Sequence, residues 1–127
     1  MPKVNYYVID ASDKEAKKDF VDRHSAFIYC EDNTKIGEKF KVKVKVGKEY
    51  THPDDFDHFI KYVQLWNGET LMGETNFPPG TLGNISSNVE IDFYIISNKK
   101  KLKLKAMAYC TKHGLWQSDE KIVNLIK

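Results

Sequence analysis

From Lys39 to Val46 the chain reads Lys-Phe-Lys-Val-Lys-Val-Lys-Val, and this strict alternation constrains the fold more than any other feature. A period of two places every valine on one face and every lysine on the other, the pattern of a half-buried strand. A second alternation, Leu102-Lys-Leu-Lys-Ala-Met-Ala-Tyr109, runs straight into Cys110. Phe59 to Trp66 and Val89 to Ser97 are rich in β-branched and aromatic residues and bounded by turn formers, so both read as strands. Asn98-Lys99-Lys100-Lys101 reads as a hairpin connection, and Gly68, Gly73, Pro78-Pro79-Gly80 and Gly83-Asn84 as a loop-rich middle. Short, numerous, regularly spaced strands predict an antiparallel β-sandwich.

One segment near the start departs from this pattern. Ser12-Asp13-Lys14-Glu15 fits a capping box, and Glu15 to Phe20 extends it for a turn or two of helix. The helix is expected to end just before Asp22-Arg23-His24. The fold class is therefore all-β with a short N-terminal helical segment. No repeat, linker or low-complexity tract divides residues 1–127, and a single domain is expected.

Twenty basic residues against eighteen acidic ones leave a net charge of +2, without the basic excess of a nucleic-acid binder. Two cysteines are too few for a disulfide scaffold. The start, Met1-Pro2-Lys3-Val4-Asn5-Tyr6-Tyr7-Val8, lacks a signal-peptide core. No stretch approaches the ~20 apolar residues of a membrane span. A cytoplasmic protein is expected, with neither nucleic acid nor membrane as partner.

All four histidines fall into one metal-ligand pattern. His24 stands alone, His52 and His58 form an H-x5-H pair, and Cys110 and His113 form a C-x2-H pair. Pro53, with Asp54 and Asp55, argues against a helix between His52 and His58, so a loop must bring these imidazoles together. Two residues between Cys110 and His113 is a common chelate-loop spacing, and Gly114 permits the tight turn after them. Structural zinc closes at four ligands, usually with two or more thiolates. Blue copper has no use for four imidazoles. Five protein donors suit one mononuclear non-haem iron with a sixth position open to a small molecule. A thiolate opposite that position would push electron density towards whatever binds there.

Val46-Gly47-Lys48-Glu49-Tyr50-Thr51-His52-Pro53, then His58-Phe59-Ile60, then Tyr109-Cys110-Thr111-Lys112-His113-Gly114-Leu115-Trp116 resemble the signature of the superoxide reductases, the neelaredoxin and desulfoferrodoxin family. The similarity runs from about His24 to Trp116, and Cys-x-x-His-Gly-Leu-Trp is its most specific part. The chain lacks the additional four-cysteine rubredoxin-like site of desulfoferrodoxins and so resembles the one-iron neelaredoxin type. The resemblance implies an immunoglobulin-like seven-stranded antiparallel β-sandwich. It also implies Fe(II) with His24, His52, His58 and His113 equatorial and Cys110 axial. The implied reaction is one-electron reduction of superoxide to hydrogen peroxide, with electrons from a rubredoxin-like donor. The implied assembly is a homotetramer, and strand edges could serve such a homo-oligomer.

The chain also departs from that family. The usual Glu-Lys-His before the first ligand is Asp22-Arg23-His24 here, and Ser25-Ala26 replaces Val-Pro. The family glutamate caps the oxidised iron and the lysine draws in superoxide. Asp22 is one methylene shorter, and Arg23 presents a planar fork instead of a compact ammonium. Asp22, Arg23 and Lys48 are therefore the candidate catalytic residues, and Lys112 inside the chelate loop is a second source of compensating charge. Cys30, in an apolar run, reads as an inert buried thiol. The Lys-rich strands read as solvated faces, and Asp54, Asp55 and Asp57 as residues that shape their loop. Trp116 either covers the metal pocket or packs in the core. A non-catalytic iron or zinc protein of the same fold is the alternative to an enzyme, and a metal-free immunoglobulin-like binding module is the third reading.

Overall fold

The computed structural model describes residues 18–80 and 83–127. The described elements are α1 (Lys18–His24), β1 (Ala26–Tyr29), β2 (Asn33–Lys35), β3 (Phe40–Val46), β4 (Ile60–Asn67), β5 (Thr70–Asn76), β6 (Glu90–Ile95), β7 (Lys101–Cys110), β8 (Gly114–Gln117) and β9 (Lys121–Ile126). One sheet has the order β1-β3-β6 and is antiparallel throughout. The other has the order β2-β9-β7-β4-β5, with β8 also on β7. Partners on β7 show why these strands are so numerous. β9 pairs with Lys101–Leu104 and β8 with Met107–Cys110, so the two lie end to end along β7. β2 is a three-residue strip in parallel with β9. With β8 and β9 taken as one interrupted strand and β2 set aside, seven strands make the sandwich.

The two alternations behave as the period-two argument requires. Val42, Val44 and Val46 of β3 are fully buried, and they meet Val63 and Leu65 of β4 and Leu102 and Leu104 of β7 in one core between the sheets. Each such side chain contributes about 1.5–3 kcal/mol when buried. The lysines between the β3 valines face outward, where Lys43 stands across from Asp92 and Lys45 across from Glu90. These opposite charges suit an antiparallel ladder.

Three expectations need correction. The helix does not stop before Asp22-Arg23-His24; it runs through His24. Ser25 ends it, donating both its backbone N–H (3.0 Å) and its hydroxyl (2.6 Å) to Val21 O. The capping box at Ser12–Glu15 lies outside the described residues. Asn98–Lys101 does not close a hairpin, because β6 and β7 belong to different sheets and the segment crosses between them. The supposed loop around Gly68 and Gly73 contains β5, joined to β4 by a turn at Gly68. Gly73 sits within that strand because the Phe93 ring from the opposite sheet occupies its side-chain space. A Cβ there would stand 2.9 Å from Phe93 Cε1. Among the described residues, no helix is long and apolar enough to cross a membrane.

Candidate metal centre

The five candidate donors come from four places in the fold. His24 ends α1, His52 and His58 lie on the connection from β3 to β4, Cys110 ends β7, and His113 lies in the turn into β8. His24 is 1% exposed and His52 2%. His24 Nδ1–H donates to Phe20 O, one helical turn back, at 2.7 Å. His52 Nδ1–H donates to Pro53 O at 2.7 Å. In each case the carbonyl fixes the proton on Nδ1 and leaves the lone pair on Nε2; that of His24 faces His113 Nδ1 at 3.1 Å, and that of His52 has no hydrogen-bond partner. His58 is held by a tight turn, with reciprocal backbone bonds to Asp55 of 2.9 and 3.1 Å. Gly114, at φ 83°, reverses the chain after His113 in a conformation that favours glycine.

These segments bring the donors to one point. Ligand atoms of His24, His52, His58 and Cys110 all lie within 4.8 Å of one another. His113 falls outside that set, yet its Nδ1 is 3.7 Å from Cys110 Sγ and 3.1 Å from His24 Nε2. The ring geometry groups it with the others. Taken in the order His24, His52, His58, His113 and back to His24, neighbouring centroids are 4.9, 4.8, 5.1 and 4.7 Å apart, and their planes cross at 84°, 77°, 69° and 74°. His24 and His58, opposite each other, are 6.4 Å apart and within 21° of parallel. Four imidazoles therefore form a ring, crossed between neighbours and aligned across the diagonal, with the Cys110 sulfur against it.

Electrostatics prepare the nitrogens as donors. Burial, reinforced by the neighbouring imidazoles and only partly offset by the bonds to Phe20 and Pro53, lowers the pKa of His24 and of His52 to about 4. Burial, His113 and Lys112 also lower that of His58. These three imidazoles are neutral at pH 7. Burial pushes the Cys110 thiol up, so its conversion to thiolate awaits a cation, whose charge deprotonates a coordinating thiol. His52 Nε2 and His58 Nε2 are buried without a hydrogen-bond partner. Such orphaned atoms cost about 1–3 kcal/mol each. A cation that takes their lone pairs removes that cost, and a set of imidazoles plus one sulfur suits a first-row transition metal.

A model of the desulfoferrodoxin family matches residues 12–119. The chain belongs to that family. It is 37% identical over 97 residues to a superoxide reductase of Pyrococcus furiosus, covering 65% of this chain and 77% of that protein. A superoxide reductase structure from Nanoarchaeum equitans is 33% identical with a TM-score of 0.62, covering 80% of this chain and 93% of the other. The reduced superoxide reductase (neelaredoxin) of Archaeoglobus fulgidus is 27% identical with a TM-score of 0.64, covering 81% and 91%.

Within this desulfoferrodoxin-family site, the contacts that Asp22 and Arg23 make are with the loop before His52 and with their own helix. Asp22 Oδ2 accepts the backbone N–H groups of Lys48, Glu49 and Tyr50 at 3.0, 3.0 and 2.9 Å. Arg23 turns along its own helix to Asp19, at 3.5 Å to the carboxylate, and lies 6.0 Å from the Tyr50 ring centroid. Lys48 is exposed, and the bond just described uses its backbone. Lys112 Nζ is 3.9 Å from Asp57. Asp54 is buried and accepts Asn84 N–H at 3.2 Å, so it ties two loops together. Cys30 is half-buried, and burial raises its pKa.

Trp116 both packs and covers. It is 7% exposed, its ring stacks on His24 at 5.1 Å, and its Nε1–H donates to His113 O at 3.0 Å. Phe20 completes this wall, 4.6 Å from His24 and 4.9 Å from His113. The residues that sequence reasoning missed are Phe20, Thr111 and Asn88. Phe20 had a signal, four residues before His24 on a helix. Thr111 Oγ accepts Phe59 N–H at 3.2 Å and donates to Asp57 O at 3.3 Å, fastening the Cys110–His113 turn to the His58 turn. Asn88, whose Nδ2 donates to Val46 O, Gly47 O and Tyr50 O on the loop before His52, had no signal beyond its place among turn formers.

Proposed function

We propose that this chain is a superoxide reductase whose resident metal is one iron, held by His24, His52, His58, His113 and Cys110. The observation that carries the reading is the closed ring of four crossed imidazoles with a buried cysteine sulfur against it. Family membership and the names of its relatives support the same reading. A bound iron would supply the one electron that, with two protons, converts superoxide to hydrogen peroxide, and an external donor, of which a rubredoxin-like protein is the expected kind, would restore it.

The chain's own residues orient, exclude and attract. The Phe20 and Pro53 carbonyls hold two imidazoles in the donor tautomer, while Trp116 and Phe20 cover the His24 ring and Phe20 packs edge-on against His113. Lys112, exposed within the chelate turn, and Lys48, exposed on the loop before His52, supply positive charge for an anionic substrate. A cytoplasmic location and a homotetramer belong to this proposal as well.

Anaerobic purification, iron per chain and the visible spectrum before and after mild oxidation test the reading. One iron per chain with a red-absorbing thiolate-to-Fe(III) band, followed by superoxide consumption without dioxygen release, is the expected result. The involvement of Asp22 and Arg23 in contacts away from the donors favours one rival, a metal protein of this fold without turnover. Full iron loading with no superoxide consumption would decide for that rival.

A further inference from the structure

The loop that delivers His52 is gripped from both sides. On its N–H side, one oxygen of Asp22 takes three consecutive amides, those of Lys48, Glu49 and Tyr50. On its carbonyl side, Asn88 Nδ2 donates to Val46 O, Gly47 O and Tyr50 O at 3.0, 3.1 and 2.9 Å. Gly47 leaves no slack between them. Its φ is 80°, and a Cβ would stand 2.4 Å from Tyr50 O, 2.9 Å from Asn88 Nδ2 and 3.4 Å from the Arg23 Cα of the helix. His52 follows at once, paired through its own backbone with Ser87 at 2.9 and 3.1 Å. Three successive amides converging on one point form an anion-binding concavity, and here the anion is a side chain of the chain itself.

Two ligands are linked by this arrangement. Asp22 lies two residues before His24 on α1, and the amides it holds end two residues before His52. We infer that Asp22 is a positioning residue that sets the His52 loop against the helix bearing His24, committed to that loop and not to the metal. Asn88 is its counterpart on the opposite face of the loop. In this chain the carboxylate before the first histidine thus orients a neighbouring ligand. The inference deepens the proposed metal site, and only its metal-affinity and iron-band arms rest on that reading.

Hydrogen exchange of the Lys48, Glu49 and Tyr50 amides is the direct test, read on the whole chain with and without Co(II). Asp22→Ala is expected to speed exchange at these amides by about tenfold. It is also expected to weaken Co(II) binding by about tenfold, the range for residues that orient a metal ligand. Asp22→Asn keeps an acceptor oxygen without the charge and should fall between the two, which preserves the test if the alanine variant is poorly folded. Asp19→Ala, a change of carboxylate on the same helix, should leave amides 48–50 protected. Unchanged exchange in both Asp22 variants would overturn the inference. So would a shifted thiolate-to-iron band in the oxidised iron form of Asp22→Ala with those amides still protected, because the carboxylate would then be acting on the metal. Because exchange is read without metal, even a chain that never reduces superoxide shows whether Asp22 latches the loop.

Discussion

His24 and His52 come from distant parts of the chain, whereas Cys110 and His113 come from a single turn. The first pair is almost inaccessible, and each imidazole is locked by a carbonyl. The second pair is three residues apart, its histidine is partly exposed, and Thr111 fastens it to the neighbouring His58 turn. Tertiary contacts make the first pair rigid and costly to disturb. Cys110 is itself fully buried, so tolerance on the second side belongs to the turn carrying His113, which can move a little without opening the core.

Removal of one imidazole from each side is the strongest way to break this contrast. His52→Ala is expected to lower metal affinity by more than about 100-fold, beyond the range for residues that merely orient a ligand. His113→Ala should cost about tenfold less, because Nδ1 of a partly exposed ring is more readily replaced by water. Competition with a chelator, using Co(II) or Fe(II), measures both. Equal losses would mean that the two sides share one rigidity.

Two glycines sharpen the comparison at the level of stability, one on each side. Gly47 and Gly114 have nearly the same φ, 80° and 83°, but different surroundings. A Cβ at Gly47 meets Tyr50 O at 2.4 Å, whereas one at Gly114 meets nothing within 4 Å. Gly114→Ala should therefore cost only the left-handed backbone term, about 1 kcal/mol. Gly47→Ala should add a clash with main chain that cannot move away, for a total of about 3 kcal/mol. Denaturant midpoints on the metal-free chain separate them.

The same contrast explains what the sequence made legible. Cys110-x-x-His113-Gly114 is readable because the chelate, its turn and the glycine are consecutive. The valine and lysine alternation is readable because period two is a local property of a strand. Asp22 is a different case. The amides it holds are 26 to 28 residues away, and nothing near Asp22 in the chain announces them. Asn88 reaches back 38 to 42 residues for its three carbonyls, beyond any spacing rule. β5 was hidden because Gly73 looks like a turn residue until Phe93 is seen filling the space beside it. The end of the helix is not legible because Ser25, not the charged residues before it, supplies the terminating bonds.

A smaller effect is expected where the local side is stitched together. Thr111→Val keeps the shape of the side chain but removes the acceptor for Phe59 N–H and the donor to Asp57 O. Loss of such a bond costs about 1 kcal/mol. Trp116→Phe removes the Nε1–H bond to His113 O while keeping an aromatic ring against His24, and should cost about as much. If Thr111→Val left stability unchanged, the turn would be holding itself without the His58 segment.

Lys112→Ala should have the smallest effect on stability and still be visible in function. Its partner Asp57 is 3.9 Å away, and both side chains are largely open to water, at 53% and 76%. Exposed pairs of this kind contribute about 0–1 kcal/mol, so the unfolding midpoint should hardly move. The charge nevertheless sits in the turn between Cys110 and His113, beside the proposed metal site. Removing it should slow superoxide capture about two- to threefold at low salt, and the difference should shrink as salt screens charges beyond ~8 Å. The same substitution at Lys103, a lysine on the outer side of β7, should not slow capture. A salt-independent loss at Lys112 would point instead to distortion of the turn, and would remove the distinction between a side of the site that is held and a side that attracts.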